Sequence, residues 1–244
     1  MKRWRSNDIA WFLDDEALTS LVEGLKEFSR SERTHEFRSA HGWDVFVKYF
    51  VEKGFLGTLR NRLLPRGKRE YLVGRRLSSL SIPTPSPLGY GRGKRGSFIL
   101  QQRIEAIPFR VAFDKDPLRE RLAEGLAVFL DLLRKKRVRH NDLHLENIMV
   151  ANDGLYLVDL HKTRVRKVRF SRADELVNLT HALTMIYDRM TQGEKDRFFS
   201  AYGRQDMRPF VERGLLTLRR RWIASKKGRA FFTTSRLVAS LAGP

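Results

Sequence analysis

The sequence predicts an α+β protein with a β-rich region at about 15–105 and a mainly helical region at 106–244. Short segments of alternating apolar residues indicate strands in the first region. Apolar residues at helical spacing indicate long helices in the second. A chain of 244 residues is long enough for one domain or a two-lobed unit with a substantial core.

The first region begins with predicted strands at 18–28, 35–40 and 43–50. In the third strand, Val45, Val47 and Tyr49 face one side and Lys48 faces the other. A lysine flanked by aromatic residues in a strand is either an edge-strand charge or a cation placed for binding. We favour the second interpretation because of the motif described below.

A helix is predicted over 66–80, where apolar residues recur at helical spacing and Pro83 follows. Glu70 is the only acid in this helix, which makes it the expected partner of Lys48. Glu52 competes for that role but lies too close to Lys48 along the chain. Alternatively, Glu70 pairs on the surface with Lys68 or Arg75, an interaction of little energetic value.

The remaining elements complete the two lobes. A proline-rich extended connector is expected at 82–91 and a strand at 97–104, with 101–105 as the link between lobes. Helices are predicted at 117–136 and 172–190, and one or two more at 194–223.

The stretch 139–160, RHNDLHLENIMVANDGLYLVDL, carries the strongest functional signal. Four residues separate Asp142 from Asn147, the spacing of the kinase catalytic loop. Two short apolar strands follow, joined by the turn Asn152-Asp153-Gly154, and they predict a hairpin. A tight hairpin would return Asp159 to the neighbourhood of Asn147 and Asp142.

This combination of residue types suits phosphoryl transfer, in which positioning and charge neutralisation provide most of the rate. Asn147 and Asp159 offer the oxygen ligands that Mg²⁺ prefers, and Asp142 can accept the proton of an attacking hydroxyl. In the alternative interpretation, Asp142 and Asn147 only cap a loop and Asp159 ends a strand.

The histidines allow a second interpretation of the same stretch. His140, His144 and His161 could join Asp142 in a divalent-metal cluster, since histidine is the commonest metal ligand. No established zinc-binding spacing supports this, and the chain has no cysteine. We favour a structural role for His140 as a buried residue that braces the loop.

Charge and composition limit the partners. The formal net charge is +20, and much of it lies in four basic clusters, at 60–76, 134–139, 162–172 and 219–229. Such a charge favours an anionic partner, either a membrane surface, a phosphorylated glycolipid or nucleic acid. The absence of cysteine excludes disulfides, and neither a secretory signal nor a long apolar segment is evident.

With these residues in view, the chain resembles the bacterial lipopolysaccharide core kinases, which phosphorylate Kdo or heptose. The resemblance covers about 28–190, including the block around Lys48, GKREYLVGRRLSSLSIPTPSPLG, RHNDLHLENIMV and YLVDLHKTR. It implies a bilobal protein-kinase-like fold, with an N-lobe at 15–105 and a C-lobe at 106–244. It also implies ATP and Mg²⁺ as cofactors and a cytoplasmic site of action on the inner-membrane face.

The resemblance also implies roles for individual residues. Asp142 is the expected base, and Asn147 and Asp159 are the expected metal ligands. Lys48 is expected to contact the α- and β-phosphates and Glu70 to orient Lys48, and Ser31 and Gln102 complete the expected cofactor-binding set. Ser31 belongs to 29–34, which replaces a glycine-rich loop, and Asp159-Leu160-His161 stands in place of Asp-Phe-Gly.

The leading hypothesis is a kinase that acts on a lipid-anchored anionic glycolipid while in peripheral contact with an acidic membrane. Alternatives are an atypical protein or aminoglycoside-like kinase, a nucleic-acid-associated kinase or ATPase, and a pseudokinase used for binding. Only 14 residues separate Asp159 from Asp174, which leaves no room for a regulated activation segment. The basic tail at 219–236 is either an interfacial helix or a packed terminal helix.

Overall fold

A computed structural model describes residues 1–27, 35–52, 54–115 and 119–224, without the side chains at 55, 56, 60 and 219–224. The chain divides into two compact units. The first comprises 1–105 together with 159–161, and the second comprises the rest of the chain. The predicted α+β class is confirmed, because the N-terminal region contains a large β-sheet and the C-terminal region is mainly helical.

The first unit is built on a six-stranded sheet. In chain order its strands are β1 (Lys2–Ser6), β2 (Ile9–Leu13), β3 (His35–Ala40), β4 (Trp43–Val51), β5 (Pro87–Arg92) and β6 (Gly96–Gln102). They lie in the order β1-β2-β5-β6-β4-β3, and every neighbouring pair is antiparallel.

One face of this sheet forms an apolar core. Val45, Val47 and Tyr49 of β4 are buried, which confirms the predicted alternation and places Lys48 on the opposite face. The ring of Phe98 in β6 packs 4.5 Å from the Tyr49 ring and 5.1 Å from the Trp11 ring, centroid to centroid. These contacts stabilise the position of β4 in the sheet and therefore the position of Lys48 on its opposite face.

The helices of this unit are α1 (Thr19–Val22), α2 (Gly54–Leu63) and α3 (Arg66–Ser79). The predicted strand at 18–28 is wrong, because a 3-10 turn at Glu16–Leu18 continues into α1. Leu18, Leu21, Val22 and Leu25 are the buried positions, and this spacing is helical rather than alternating. Residue 28 and the adjoining 29–34 lie outside the described residues.

Helix α3 matches the helix predicted at 66–80, but its buried face differs. Glu70, Tyr71 and Leu77 are buried, whereas Leu72 is 48% exposed. Close packing against β6 sets this orientation, since a Cβ on Gly67 would lie 2.0 Å from the Phe98 carbonyl oxygen. The connector expected at 82–91 is extended, and its second half forms β5.

Among its described residues, the second unit contains five short strands and five α-helices. The strands are β7 (Ala106–Pro108), β8 (Val138–His140), β9 (Ile148–Ala151), β10 (Gly154–Leu157) and β11 (Thr163–Val165). The helices are α4 (Phe109–Lys115), α5 (Arg119–Lys135), α6 (Arg172–Leu183), α7 (Gln192–Tyr202) and α8 (Arg208–Ala224). Strands β7, β9 and β10 form one sheet, and β8 pairs with β11.

The predicted helices of this region are present with shifted ends. Helix α5 corresponds to the prediction at 117–136, of which Pro117 lies outside the described residues. The helix predicted at 172–190 ends at Leu183 and is followed by a 3-10 turn at Tyr187–Arg189. The segment 194–223 corresponds to two helices, α7 and α8.

Helix α6 is the central support of the second unit, since it is buried from Asp174 to Leu183. The Asn178 side chain joins it to β8: its oxygen accepts a hydrogen bond from the His140 amide at 3.0 Å, and its nitrogen donates to the Val138 carbonyl at 2.8 Å. Strand β8 leads directly into the loop that carries Asp142. The most buried helix of the unit therefore positions this loop.

Candidate active site

In the first unit, Lys48 lies between two carboxylates. Its Nζ atom lies 2.5 Å from Oδ1 of Asp159 and 3.6 Å from Oε2 of Glu70. The Phe50 ring lies on the same side, with its centroid 4.8 Å from Nζ. The structure thus brings together three of the sequence-predicted residues, Lys48, Glu70 and Asp159.

Glu70 reaches this position because α3 packs tightly on the sheet. Its side chain is fully buried, and this burial raises the pKa of the carboxyl group while the nearby Lys48 lowers it. A surface pair with Arg75 is therefore not formed; Arg75 lies 3.4 Å from Asp14 instead. The other candidate acid, Glu52, lies 3.2 Å from Arg66.

The backbone of Asp159 has an unusual conformation at the point where its carboxylate meets Lys48. Its φ of +57° is in the left-handed region, which is uncommon for a residue other than glycine. Burial alone would raise the pKa of Asp159, but the hydrogen bond from His161 and the charge of Lys48 hold it well below its usual range. The carboxylate is therefore ionised at neutral pH.

His161 is a site residue whose position the sequence did not predict. Its Nδ1 atom lies 2.8 Å from Oδ1 of Asp159, and its ring packs 5.7 Å from the Phe50 ring, centroid to centroid. The side chain is buried. Its contact with Oδ1 orients the carboxylate of Asp159.

In the second unit, Asp142 lies in a tightly bonded loop after β8. Its amide donates to Nδ1 of His140 at 3.2 Å, and its carbonyl accepts from the His144 amide at 2.9 Å and from Nδ2 of Asn147 at 2.8 Å. The carboxylate of Asp142 contacts Nζ of Lys162 through Oδ2. Its other oxygen, Oδ1, lies 3.8 Å from Nε2 of His144.

Asn147 is buried at the end of a 3-10 turn, Leu145–Asn147. Because its side-chain nitrogen bonds to the Asp142 carbonyl, its side-chain oxygen is the atom that can bind a cation. The Asn147 carbonyl accepts from the Val158 amide at 3.0 Å, which fastens the loop to the end of the hairpin. Strands β9 and β10 pair from Ala151 and Gly154 onward, which confirms the predicted hairpin.

Two supporting residues were missed from the sequence. Lys162 contacts Asp142, and its carbonyl accepts from Nδ2 of Asn141 at 2.8 Å. Asp174 is buried and accepts from Arg139 at 2.9 Å and from Arg166 at 2.7 Å, which lowers the pKa of its carboxyl group to about 2 against the effect of burial. The available signals were local: Lys162 directly precedes a short strand, and Ser171 and Asp174 have the capping-box spacing of a helix start.

The alternative histidine cluster is not formed. Among the described residues, the group with donor atoms close enough to share a metal ion is Glu70, Asp159 and His161, all within 4.8 Å of one another. His140 is buried and accepts from the loop, the structural role that we favoured. The ionised Asp159 carboxylate of the first unit is a hard oxygen donor of the kind that Mg²⁺ prefers. The side-chain oxygen of Asn147 in the second unit is a donor of the same kind.

The other two predicted nucleotide residues are less informative. Gln102 ends β6 with an exposed side chain, and its amide donates to the Ser86 carbonyl at 2.8 Å. Ser31 lies in the part of the chain that the structure does not describe.

None of the helices within the described ranges has both the length and the apolar character needed to cross a membrane.

Comparisons with known proteins identify a family and a similar fold. Residues 29–202 match the model of the lipopolysaccharide kinase (Kdo/WaaP) family. A solved structure described as WaaP in complex with acyl carrier protein is similar with a TM-score of 0.60 at 19% identity, covering 95% of this chain and 98% of that chain.

A second solved structure is that of a divergent kinase, described as lacking the glycine-rich loop and as regulating membrane ultrastructure of the Toxoplasma parasitophorous vacuole. It is similar with a TM-score of 0.46 at 14% identity. The match covers 76% of this chain and 70% of that one. No curated protein sequence matches.

The family match covers more than half of the chain, and the similarity to WaaP independently shows a protein-kinase-like fold. The chain therefore belongs to the Kdo/WaaP lipopolysaccharide kinase family, and it is a phosphotransferase that acts on a sugar hydroxyl.

Proposed function

We propose that this kinase transfers the γ-phosphoryl group of ATP, in the presence of Mg²⁺, to a hydroxyl of Kdo or heptose in the lipopolysaccharide inner core. Its family and its complete set of kinase-type residues support the proposal. The observation that carries it is the position of Lys48, whose ammonium group lies between the carboxylates of Glu70 and Asp159.

Asp142 is the proposed base. The loop bonds to its amide and carbonyl fix its backbone and thereby position the carboxylate for an acceptor hydroxyl. Lys162 contacts the carboxylate through Oδ2 and holds it in position. Asp142 orients the hydroxyl and accepts its proton as the new phosphate ester bond forms.

Lys48, Asp159 and Asn147 are assigned to the phosphate groups. The ammonium group of Lys48 would bind the α- and β-phosphate oxygens, and Glu70 keeps the lysine in place. Asn147 and Asp159 would hold Mg²⁺, which supplies neutralisation of the phosphate charge when bound. In this proposal the N-lobe spans 15–105, with Gln102 and Ser31 near the nucleotide, and the C-lobe spans 106–244.

The base assignment is tested with Asp142→Ala and Asp142→Asn, measuring transfer from radiolabelled ATP to purified lipid A–core acceptor. Loss of a positioned base is expected to lower kcat by about 10²–10⁴-fold with little change in KM for ATP. Asp153→Asn is the matched control, an acid of the neighbouring hairpin turn whose side chain is exposed. Unchanged turnover in Asp142→Ala would show that the base is another group.

The acceptor class is tested by offering lipid A–core, a protein mixture and tRNA in parallel. The proposal expects label in the glycolipid alone, and acceptors that end in Kdo or in heptose identify the sugar. Label in protein with none in glycolipid would favour an atypical protein kinase instead. Label or salt-dependent retention on tRNA would favour a nucleic-acid-associated enzyme.

We also propose a cytoplasmic location with peripheral contact to the acidic inner-membrane face. The net charge of +20 supports this, since each basic residue near an acidic membrane contributes about 1 kcal/mol. Cell fractionation should find the chain in the membrane pellet and release it with high salt. Retention after the salt wash would show that charge does not hold it there.

A further inference from the structure

The second unit contains a cavity of about 470 Å³ that the proposed chemistry does not use. Six of its lining side chains are cationic: Arg134, Lys135, Arg137, Lys167, Arg169 and Arg204. They belong mainly to two of the four basic clusters seen in the sequence, 134–139 and 162–172. The volume is in the usual range for small-molecule sites.

Three of these cations are balanced by acids. Arg134 and Lys135 lie 2.6 and 2.7 Å from the oxygens of Asp131. Arg204 lies 2.7 Å from Asp206. Salt bridges of this kind reduce the charge of the cavity but leave its other half uncompensated.

The other three cations have no carboxylate partner among the described residues. Arg137 donates instead to the carbonyls of Lys167 and Val168, both at 3.4 Å. These two bonds hold the loop that carries Lys167 and Arg169 against the end of α5, and both of those side chains are exposed. Arg137, Lys167 and Arg169 therefore all line the cavity from this loop and the adjoining end of α5.

The single acid of the lining does not cancel this charge. Glu175 is only 3% exposed, and its oxygens accept from the Tyr202 hydroxyl at 3.1 Å and from Arg204 at 3.2 Å. It therefore compensates Arg204 from below the cavity wall. The open side remains cationic, and converging like charges are stabilised by an anion.

The donor geometry favours phosphate among anions. Arginine presents a planar fork that matches two phosphate oxygens, and lysine adds a point charge. Sequence-tolerant nucleic-acid binding normally adds several aromatic platforms. Among the described residues that line this cavity, Phe170 is the only aromatic one.

We propose that this cavity binds a phosphate group carried by a small molecule or by a glycolipid, with Arg137, Lys167 and Arg169 as the principal ligands. The cavity shares no lining residue with the candidate active site. The proposal concerns binding alone and does not depend on the proposed reaction.

The test uses the full chain and inorganic pyrophosphate as the probe, with binding measured by isothermal titration calorimetry. The variant Lys167→Gln/Arg169→Gln removes two charges from the cavity without breaking a described side-chain bond. The control Arg121→Gln/Lys136→Gln removes two charges from exposed residues of the same unit that do not line it. Lys48→Met reports pyrophosphate bound at the nucleotide residues, and circular dichroism checks folding.

We expect Lys167→Gln/Arg169→Gln to weaken pyrophosphate binding at the cavity by at least about tenfold and the control to change it by less than about twofold, in the wild-type chain and in the Lys48→Met chain alike. Equal weakening in the two double variants would overturn the proposal, because it would indicate general electrostatic attraction. Weakening by Lys48→Met alone would overturn it as well, by placing pyrophosphate at the nucleotide residues.

The source of the phosphate is distinguished with lipid A–core micelles and with vesicles of phosphatidylglycerol or phosphatidylcholine. Selective loss of lipid A–core binding in the cavity variant supports a phosphate borne by the glycolipid. Selective loss of pyrophosphate binding alone supports a soluble phosphate compound. Selective loss for phosphatidylglycerol vesicles, with pyrophosphate unaffected, would overturn the cavity and assign these cations to the membrane surface.

Discussion

Replacement of Asp174 by Asn tests how the second unit supports the loop of Asp142. Asp174 accepts hydrogen bonds from Arg139 in β8 and from Arg166, the residue after β11. It also forms a capping box with Ser171 at the start of α6. The variant keeps the shape of the side chain and removes its charge. Arg139 is then left with only 15% of its side chain exposed and no charged partner there.

The size of the expected stability loss follows from the pKa of Asp174. The value falls from 3.8 to about 2 on folding, which corresponds to about 2 kcal/mol of stability above the unfolded pKa. Because the folded pKa is the lower one, this contribution is present at neutral pH and is lost as the pH falls from 3.8 toward 2. At about pH 3, wild-type protein retains roughly half of it.

The assay is urea unfolding followed by circular dichroism for both proteins at about pH 7 and about pH 3. Asp174→Asn should be less stable than wild type by about 2 kcal/mol at pH 7 and by about 1 kcal/mol at pH 3. General charge repulsion at low pH affects both proteins and cancels in the difference.

The matched control is Asp196→Asn, because Asp196 pairs with Arg208 at 2.5 Å but has 57% of its side chain exposed. We expect at most about 1 kcal/mol there, as for other exposed pairs. A loss for Asp174→Asn that is no larger than the control, or that is unchanged at pH 3, would refute the reasoning.

Two further predictions concern the packing of α3 in the first unit and the contact of Lys162 with the proposed base, Asp142. Gly67→Ala should destabilise the protein by about 1–3 kcal/mol and lower kinase activity, because its Cβ would collide with the Phe98 carbonyl and displace the helix of Glu70. Gly125→Ala is its control and should be neutral or stabilising in a thermal melt, since nothing lies within 4 Å of the added atom; equal losses would contradict the packing argument. Lys162→Gln should lower kcat at least about tenfold with KM for ATP unchanged, because Lys162 contacts the proposed base. Arg164→Gln, an exposed change in strand β11 directly after Lys162, should retain activity, and an equal loss there would assign the effect to the strand.

Local patterns explain what the sequence predicted correctly. The alternation around Lys48 and the turn Asn152-Asp153-Gly154 act within a few residues, so β4 and the β9–β10 hairpin could be predicted from them. Glu70 was identified because it is the only acid in its helix. A similar turn signal at Asn7-Asp8 was not used to predict the hairpin of β1 and β2. Both residues have positive φ and form the turn between these strands.

Contacts between distant segments explain what was not predicted. The contact of Lys162 with Asp142 depends on the pairing of β8 with β11, which places Thr163 opposite His140. The same pairing brings the basic clusters 134–139 and 162–172 together at the cavity. Each cluster is visible in the sequence, but their convergence requires the tertiary fold.

The outermost strand β1 has a consequence for solubility. It carries Lys2, Arg3 and Arg5 along one edge of the sheet, whereas its neighbour β2 has the apolar sequence IAWFL. Charged side chains on an edge strand discourage strand pairing with another molecule. Part of the high positive charge therefore protects the sheet itself, and a chain shortened past Asp8 would present β2 as an apolar edge open to aggregation.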